Sequence, residues 1–310
     1  MSSEIAGKVM TLDEAIRKFV GDGMTVYFGG FGQHTPFAAV HEIIRQRKKN
    51  LTITRAAGGV IFDQLVGAGC VKKIITSHVW NFVGPTPTYA FKRAVEEGRL
   101  KIEIEEDTLF SLNMRYLAGT LGLPFMPIKS VMGTDIFERG REKHYRTMIC
   151  PFTGEQLCLV RAINPDLGVL QVQRVDRDGN AQVWSARGDS KHGINACERV
   201  IICAEELVDS EVIKADPDRT VIPGFRVDAV VEEAWGSHPD FMQGYYDRDL
   251  EYYHMYGSET RTLEGFEKFL ETWVYGVKDR KGYLEKLGVE RLVKLRARHA
   301  LSAPVHFGYR

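Results

Sequence analysis

Two glycine pairs, each placed where an apolar run ends, are the first residues of this chain that can do chemistry. Val26-Tyr27-Phe28 passes into Gly29-Gly30-Phe31-Gly32, and Thr35-Pro36 follows ahead of a helical stretch. A strand ending in glycines before a helix lets backbone N–H groups approach a ligand, where they bind phosphate or stabilise an oxyanion. Gly30-x-Gly32 lacks the third glycine of the dinucleotide fingerprint, and no Gly-Lys-Ser/Thr follows it. The second pair stands in Arg55-Ala56-Ala57-Gly58-Gly59, again just after an apolar run. Glycine also serves wherever a chain turns sharply through positive φ, so a plain tight turn is the competing reading at both places. The third candidate is the acidic run Glu103, Glu105, Glu106 and Asp107, ahead of another helical stretch. A helix dipole alone favours carboxylates there. A buried member of the run can instead act as a general base or a nucleophile.

The remaining reactive residues offer less. His78, His192 and His238 lie beside glycines or serines in loop-like stretches, with no His-Glu-x-x-His and no Gly-x-Ser-x-Gly, and read as structural. The cysteines, Cys70, Cys150, Cys158, Cys197 and Cys203, are odd in number and form no C-x-x-C pair. They read as reduced thiols of a cytoplasmic protein, and no metal site is expected.

The elements that must position these residues alternate. Met10–Val20 reads as an amphipathic helix, with Thr11 and Glu14 at capping-box spacing. Strands follow at Met24–Phe28, Leu51–Arg55, Lys73–Thr76 and Ile102–Ile104. Helices between and after them are predicted at Phe37–Gln46, Phe62–Ala68, Tyr89–Glu97 and Leu109–Leu121. This order predicts an α/β fold with an open, mostly parallel sheet covered by helices on both faces. Residues 130–152, with Gly133, Gly140 and Pro151 among mixed charges, read as a long loop or lid. Strands resume at Leu157–Ala162, Val169–Val175 and Ala181–Trp184, and the Asp178-Gly179 between the last two is a hairpin signal. A helix at Lys191–Ala196 and strands at Arg199–Ala204 and Val227–Val231 come next. The chain is expected to be a single domain over 1–310, with 265–298 a helical C-terminal extension.

Composition excludes two classes of partner. Lysine plus arginine and aspartate plus glutamate number 41 each, so no net basic field draws the chain to nucleic acid. No apolar stretch approaches the roughly 20 residues a membrane span needs, and the first residues lack a signal peptide's apolar core.

From end to end the chain resembles the alpha subunits of class I CoA-transferases, in the glutaconate CoA-transferase branch. Val9-Met10-Thr11-Leu12-Asp13-Glu14-Ala15-Ile16, Phe28-Gly29-Gly30-Phe31 and Ala57-Gly58-Gly59 carry the likeness. It continues through Leu121-Gly122-Leu123-Pro124-Phe125, Asp178-Gly179-Asn180-Ala181-Gln182, Ala204-Glu205-Glu206, Gly236-Ser237-His238-Pro239 and Trp273-Val274-Tyr275-Gly276.

The resemblance implies an enzyme of alpha and beta subunits, α2β2, that moves CoA between an acyl-CoA and a small acid, a dicarboxylate among the candidates. Coenzyme A is then a substrate, and no covalently bound cofactor is expected. It implies that a glutamate attacks the thioester and carries a glutamyl-CoA intermediate, and that this glutamate belongs to the beta subunit, in a Ser-Glu-Asn-Gly-type context. Neither Glu205-Glu206-Leu207 nor Glu232-Glu233-Ala234 fits that context. The loop Gly29, Gly30, Phe31, Gly32 matches the family's glycine loop near the CoA thioester, with Gly58 and Gly59 as a second glycine loop. Another branch opens rings in cyclic acyl-CoA thioesters with an alpha-subunit glutamate as base, and Glu105 or Glu106 is the candidate for that part. A third reading is a catalytically silent subunit that binds CoA and a partner.

Overall fold

The computed structural model describes residues 7–81, 83, 87–98 and 101–297. Helix α1 (Leu12–Phe19) opens on the expected capping box, Thr11 accepting from the Glu14 N–H while the Glu14 carboxylate accepts from the Thr11 N–H. Four strand–helix units follow. They are β1 (Thr25–Phe28) with α2 (Phe37–Arg45), β2 (Leu51–Thr54) with α3 (Gly59–Gly67), β3 (Val71–Thr76) with α4 (Tyr89–Glu96), and β4 (Glu103–Glu106) with α5 (Leu109–Thr120). Next come β5 (Phe125–Ile128), α6 (Asp135–Gly140), β6 (Tyr145–Ile149) and β7 (Gln156–Arg161). The other half of the main sheet is built from β8 (Leu167–Asp176), β9 (Ala181–Gln182), β10 (Arg199–Val208), β11 (Thr220–Ile222) and β12 (Ala229–Glu232). Helices α7 (Ser190–Asn195) and α8 (Ser210–Lys214) lie among them. The chain then folds through α9 (Leu250–Glu259), α10 (Leu263–Leu270), a π-helical turn, α11 (Arg280–Leu287) and α12 (Val289–Leu295).

The central strands run β12-β10-β8-β1-β2-β3-β4, all parallel. Strands β1, β2, β8 and β12 are buried along nearly their whole length because helices cover both faces, while β4 at the edge is largely exposed. One core gathers α1 to α4 and the C-terminal helices, and the other gathers α5 and α7. Successive strands leave β1 towards β4 on one side, and β8 leads to β10 and β12 on the other. The β1/β8 boundary is therefore the switch point, and ligands of such sheets bind outside the carboxyl ends of the strands there. Strand β8 outruns β1. Leu167–Val169 pair with β1, and farther along the same edge Arg174 and Val175 pair with β9 in the hairpin signalled by Asp178-Gly179. The loops that follow β1 and β9 consequently meet.

The structure departs from expectation in three places. Residues 130–152 are not a loop: they hold α6 and β6, and β6 joins a second, antiparallel sheet of order β5-β7-β6. Its inner face buries Ile128, Tyr145, Cys158 and Val160, while the outer face is exposed, which dilutes the apolar pattern. Pro127 is tolerated because β5 is an edge strand. The short strand expected at Ile102–Ile104 runs instead over Glu103–Glu106, so most of the acidic run is strand, with α5 beginning only at Leu109. The C-terminal helices begin at Leu250, ahead of Gly265, and Tyr252, Tyr253, Tyr256, Phe266 and Phe269 enter the same core as α2 and α3. Those tyrosines reach buried acids: Tyr256 Oη donates to Asp63 at 2.5 Å and Tyr253 Oη to Asp240 at 2.5 Å. No helix among the described residues is long and apolar enough to cross a membrane.

Candidate active site

The two glycine loops are neighbours, because β1 and β2 pair in register and each ends at the same sheet edge. Gly29 continues the β1–β8 ladder, its N–H donating to Val169 O at 2.9 Å. Gly30 turns with φ +95°, and its N–H donates to Ser190 Oγ at 2.8 Å. Phe31 N–H donates to Gln33 O at 3.0 Å. All three donors are therefore engaged inside the chain. Glycine is required here for packing. A Cβ on Gly29 would lie 2.3 Å from Leu170 Cδ1, and one on Gly30 2.3 Å from the carbonyl oxygen of Gln33. Phe31 itself stands out, 38% exposed.

The second loop is built the same way. Gly58 N–H donates to His78 O at 2.9 Å, and Gly59 begins α3 with φ +64°. Arg55, 1% exposed, joins the two loops, with Nε donating to Gly30 O at 2.9 Å and Nη2 to Thr35 Oγ1 at 3.0 Å.

The loop after β9 closes on both. Gln33 Nε2 donates to Ala186 O at 2.5 Å, His34 Nε2 lies 2.7 Å from Ser185 Oγ, and Asp189 Oδ2 accepts from Ala56 N–H at 2.9 Å. Burial pushes His34 down to about 4, so its ring is neutral, and pushes Asp189 up to about 6. From the other side Arg248 donates to Gly32 O, and Gln33 bridges to Phe241.

The acidic run lies elsewhere. Strand β4 is three strands out from β1, roughly 14 Å at usual strand spacing. Its charges guard an edge strand and pair across to β3, Lys73 Nζ reaching Glu103 at 2.8 Å and Glu105 at 2.7 Å. Arg115 from α5 holds Glu105 at 2.7 Å and the buried Asp107 at 2.8 Å. Burial works to raise Glu105, but Arg115 and Lys73 outweigh it and hold the carboxyl down to about 2. Glu106 is exposed and pairs with Arg139 at 3.2 Å. Glu205 is sealed in by Gln171, Tyr246 and the Trp235 N–H, and burial pushes it up to about 7. His238 bridges Tyr283 and Asp249 inside the protein, a structural part as expected.

The residues missed at the sequence level are Gln33, His34, Ser185, Asp189, Ser190 and Arg248. All but Ser190, which opens α7, are ordinary loop residues, and most of the bonds they make to the glycine loops span more than 130 positions of chain. Only the β1–β8–β9 arrangement brings them together. Arg55 carried a signal, a charge closing the apolar Leu51-Thr52-Ile53-Thr54.

Comparison with known proteins places this architecture. An uncharacterised protein of Archaeoglobus fulgidus is 38% identical over 95% of this chain, which spans 66% of that relative's length. A 3-oxoadipate CoA-transferase subunit of Pseudomonas knackmussii is 36% identical, over 90% of this chain and 98% of its own. A glutaconate CoA-transferase subunit of Acidaminococcus fermentans is 33% identical, over 93% of this chain and 94% of its own. The crystal structure of that organism's glutaconate CoA-transferase superimposes with a TM-score of 0.87 at 32% identity, covering 94% of this chain and 96% of that one. The coenzyme A transferase family model matches residues 9–233, through both glycine loops and the strands that carry them, and the chain belongs to that family.

Proposed function

We propose that this chain is the alpha subunit of a two-subunit CoA-transferase that exchanges CoA between an acyl-CoA and a small dicarboxylic acid. The observation that carries the reading is the near full-length match to two transferase subunits named for 3-oxoadipate and glutaconate, both dicarboxylates. In this reading a beta-subunit glutamate attacks the thioester carbonyl, the C–S bond breaks and CoA leaves as thiolate. The thiolate attacks the glutamyl carbonyl of the resulting anhydride and releases the first acid. The acceptor carboxylate then repeats the sequence in reverse. This chain's part is the wall of the site: the rigid Gly29–Gly32 turn, with Phe31 outward, sits beside the thioester, and Gly58 and Gly59 shape the adjoining surface.

The test is co-expression with the partner. The lone chain should show no acyl exchange and the pair should show it. Borohydride trapping during turnover, followed by peptide mapping, should place the reduced glutamate in the partner. Exchange by the lone chain, or a reduced glutamate at Glu105 or Glu205, overturns the reading.

A ring-opening hydrolase with Glu105 as base fits less well, because a carboxyl held near 2 is a weak base at neutral pH. Glu105→Gln should leave turnover of the assembled enzyme within a few-fold while lowering stability by about 1.5–3 kcal/mol, the usual worth of hydrogen bonds to charged groups. Loss of a general base would cost about 10²–10⁴ in rate. Steady-state kinetics on the assembled variant separate the two.

A further inference from the structure

Arg55 is the one large basic side chain that closes β2, and its setting is unusual. It is 1% exposed, and its hydrogen-bond partners are neutral, the Gly30 carbonyl and the Thr35 hydroxyl. Among the described residues no carboxylate stands within ion-pair reach of it. Asp189 lies near enough for Arg55 to work against its burial, but the two form no contact pair, and burying a charge without one costs several kcal/mol even after relaxation, a cost that a well-packed apolar side chain avoids. Both helices that flank it, α2 and α3, start at this edge of the sheet, because each follows a parallel strand. Their N-terminal ends add positive potential instead of compensating the guanidinium.

We propose that Arg55 is the fixed cation of the site, a positioning residue that locks the Gly30 peptide and holds a positive charge beside the turn where carboxylates exchange CoA. The attacking and leaving groups of the exchange proposed above are anions, the acid, the glutamate and the thiolate, and so are the tetrahedral oxyanions that link the neutral thioesters and anhydride. A preorganised charge in a low-dielectric surround stabilises developing negative charge without reorganising. Gly30 is gripped at both ends, its N–H by Ser190 Oγ at 2.8 Å and its C=O by Arg55 Nε at 2.9 Å. The guanidinium and the turn thus keep one geometry. The other titratable groups sharing this field are Tyr27 on β1, His78 after β3, Asp189 before α7 and Tyr253 on α9.

The inference rests on the transferase reading, so the wild-type complex is assayed first, and absence of exchange there refutes that reading rather than this one. With exchange established, Arg55→Met and Arg55→Lys are compared in the assembled enzyme. Arg55→Met should lose about 10²–10³ in kcat. The acid limb of its kcat/KM profile should move up by about one pH unit as the carboxylates lose their cation. Arg55→Lys should lose less and leave the limb in place. If Arg55→Met fails to assemble, Arg55→Gln, which keeps a donor but no charge, is read in its stead. A neutral variant within threefold of wild type overturns the proposal. So does an equal loss in the Lys and neutral variants with neither limb displaced, since that is the behaviour of a strut.

Discussion

Arg115→Met is expected to cost about 3–5 kcal/mol of folding stability, the usual penalty for breaking a buried ion pair from one side. The guanidinium is 3% exposed and holds two carboxylates, Glu105 at 2.7 Å and Asp107 at 2.8 Å, while its Nε donates to Arg161 O at 2.9 Å. Tyr145 and Ser111 also donate to Asp107, so one cluster ties the edge of the main sheet to the small sheet through α5 and β6. Without Arg115 both acids lose their main cation while Asp107 stays buried. The pH dependence has a definite sign. Glu105 is held at about 2 against an ordinary 4.5, so its contribution is full above about pH 4.5 and is lost as pH falls towards 2. In Arg115→Met that acid limb should weaken and shift upward. Urea denaturation across pH 2–7 measures both effects. A variant within 1 kcal/mol of wild type at pH 7 would show that the cluster is not needed for the fold, since that is the usual range for an exposed pair rather than a buried one.

Gly30→Val is expected to abolish exchange in the assembled enzyme, and Gly30→Ala to reduce it by about 10²-fold or more, the scale on which a small misplacement of groups around the reacting centre costs rate. The reason differs from the one that the glycine pattern suggests. At φ +95° any L side chain is strained, and the Cβ itself would lie 2.3 Å from Gln33 O and 2.8 Å from His34 O. Both obstacles are backbone, so the turn must move. Moving it breaks the bonds to Ser190 and Arg55 together. The left-handed conformation alone costs on the order of 1–2 kcal/mol for a non-glycine residue. Some loss of stability should therefore accompany the loss of activity, unlike a substitution that only blocks a ligand. Differential scanning calorimetry beside the exchange assay tests this. Near-normal turnover in Gly30→Ala would mean that the turn has no part in the chemistry.

Much of the fold is legible in the sequence because its signals are local. The capping box at Thr11 and Glu14 needs only three residues of spacing. The Asp178-Gly179 turn needs only its flanking strands, and the repeated strand-then-helix order follows from apolar runs and the breaks between them. Where the local signal is weak, the sequence misleads. β6 carries exposed Arg146 and Thr147, so a half-buried strand reads as a loop. The tyrosines of α9 satisfy buried acids, and Asp63 lies 193 positions from its partner Tyr256, so the inward face of that helix carries no simple apolar stripe.

Residue order alone is enough to put glycines at the ends of β1 and β2, to start helices beyond them, and to set the charge of Arg55 between the two loops. What those residues face follows from strand pairing across the whole chain. β8 arrives some 140 residues after β1 and takes the place beside it, and its extra length brings β9 and the 183–190 loop down onto the glycine turn. That pairing engages the N–H groups of Gly29 and Gly30 within the chain. Contacts from other elements, Arg115 on α5 and Lys73 on β3, likewise tie Glu105 and Asp107 into a network of ion pairs. A residue's type and spacing set its local conformation. Its protonation and the occupancy of its hydrogen bonds depend on neighbours that only the folded sheet supplies.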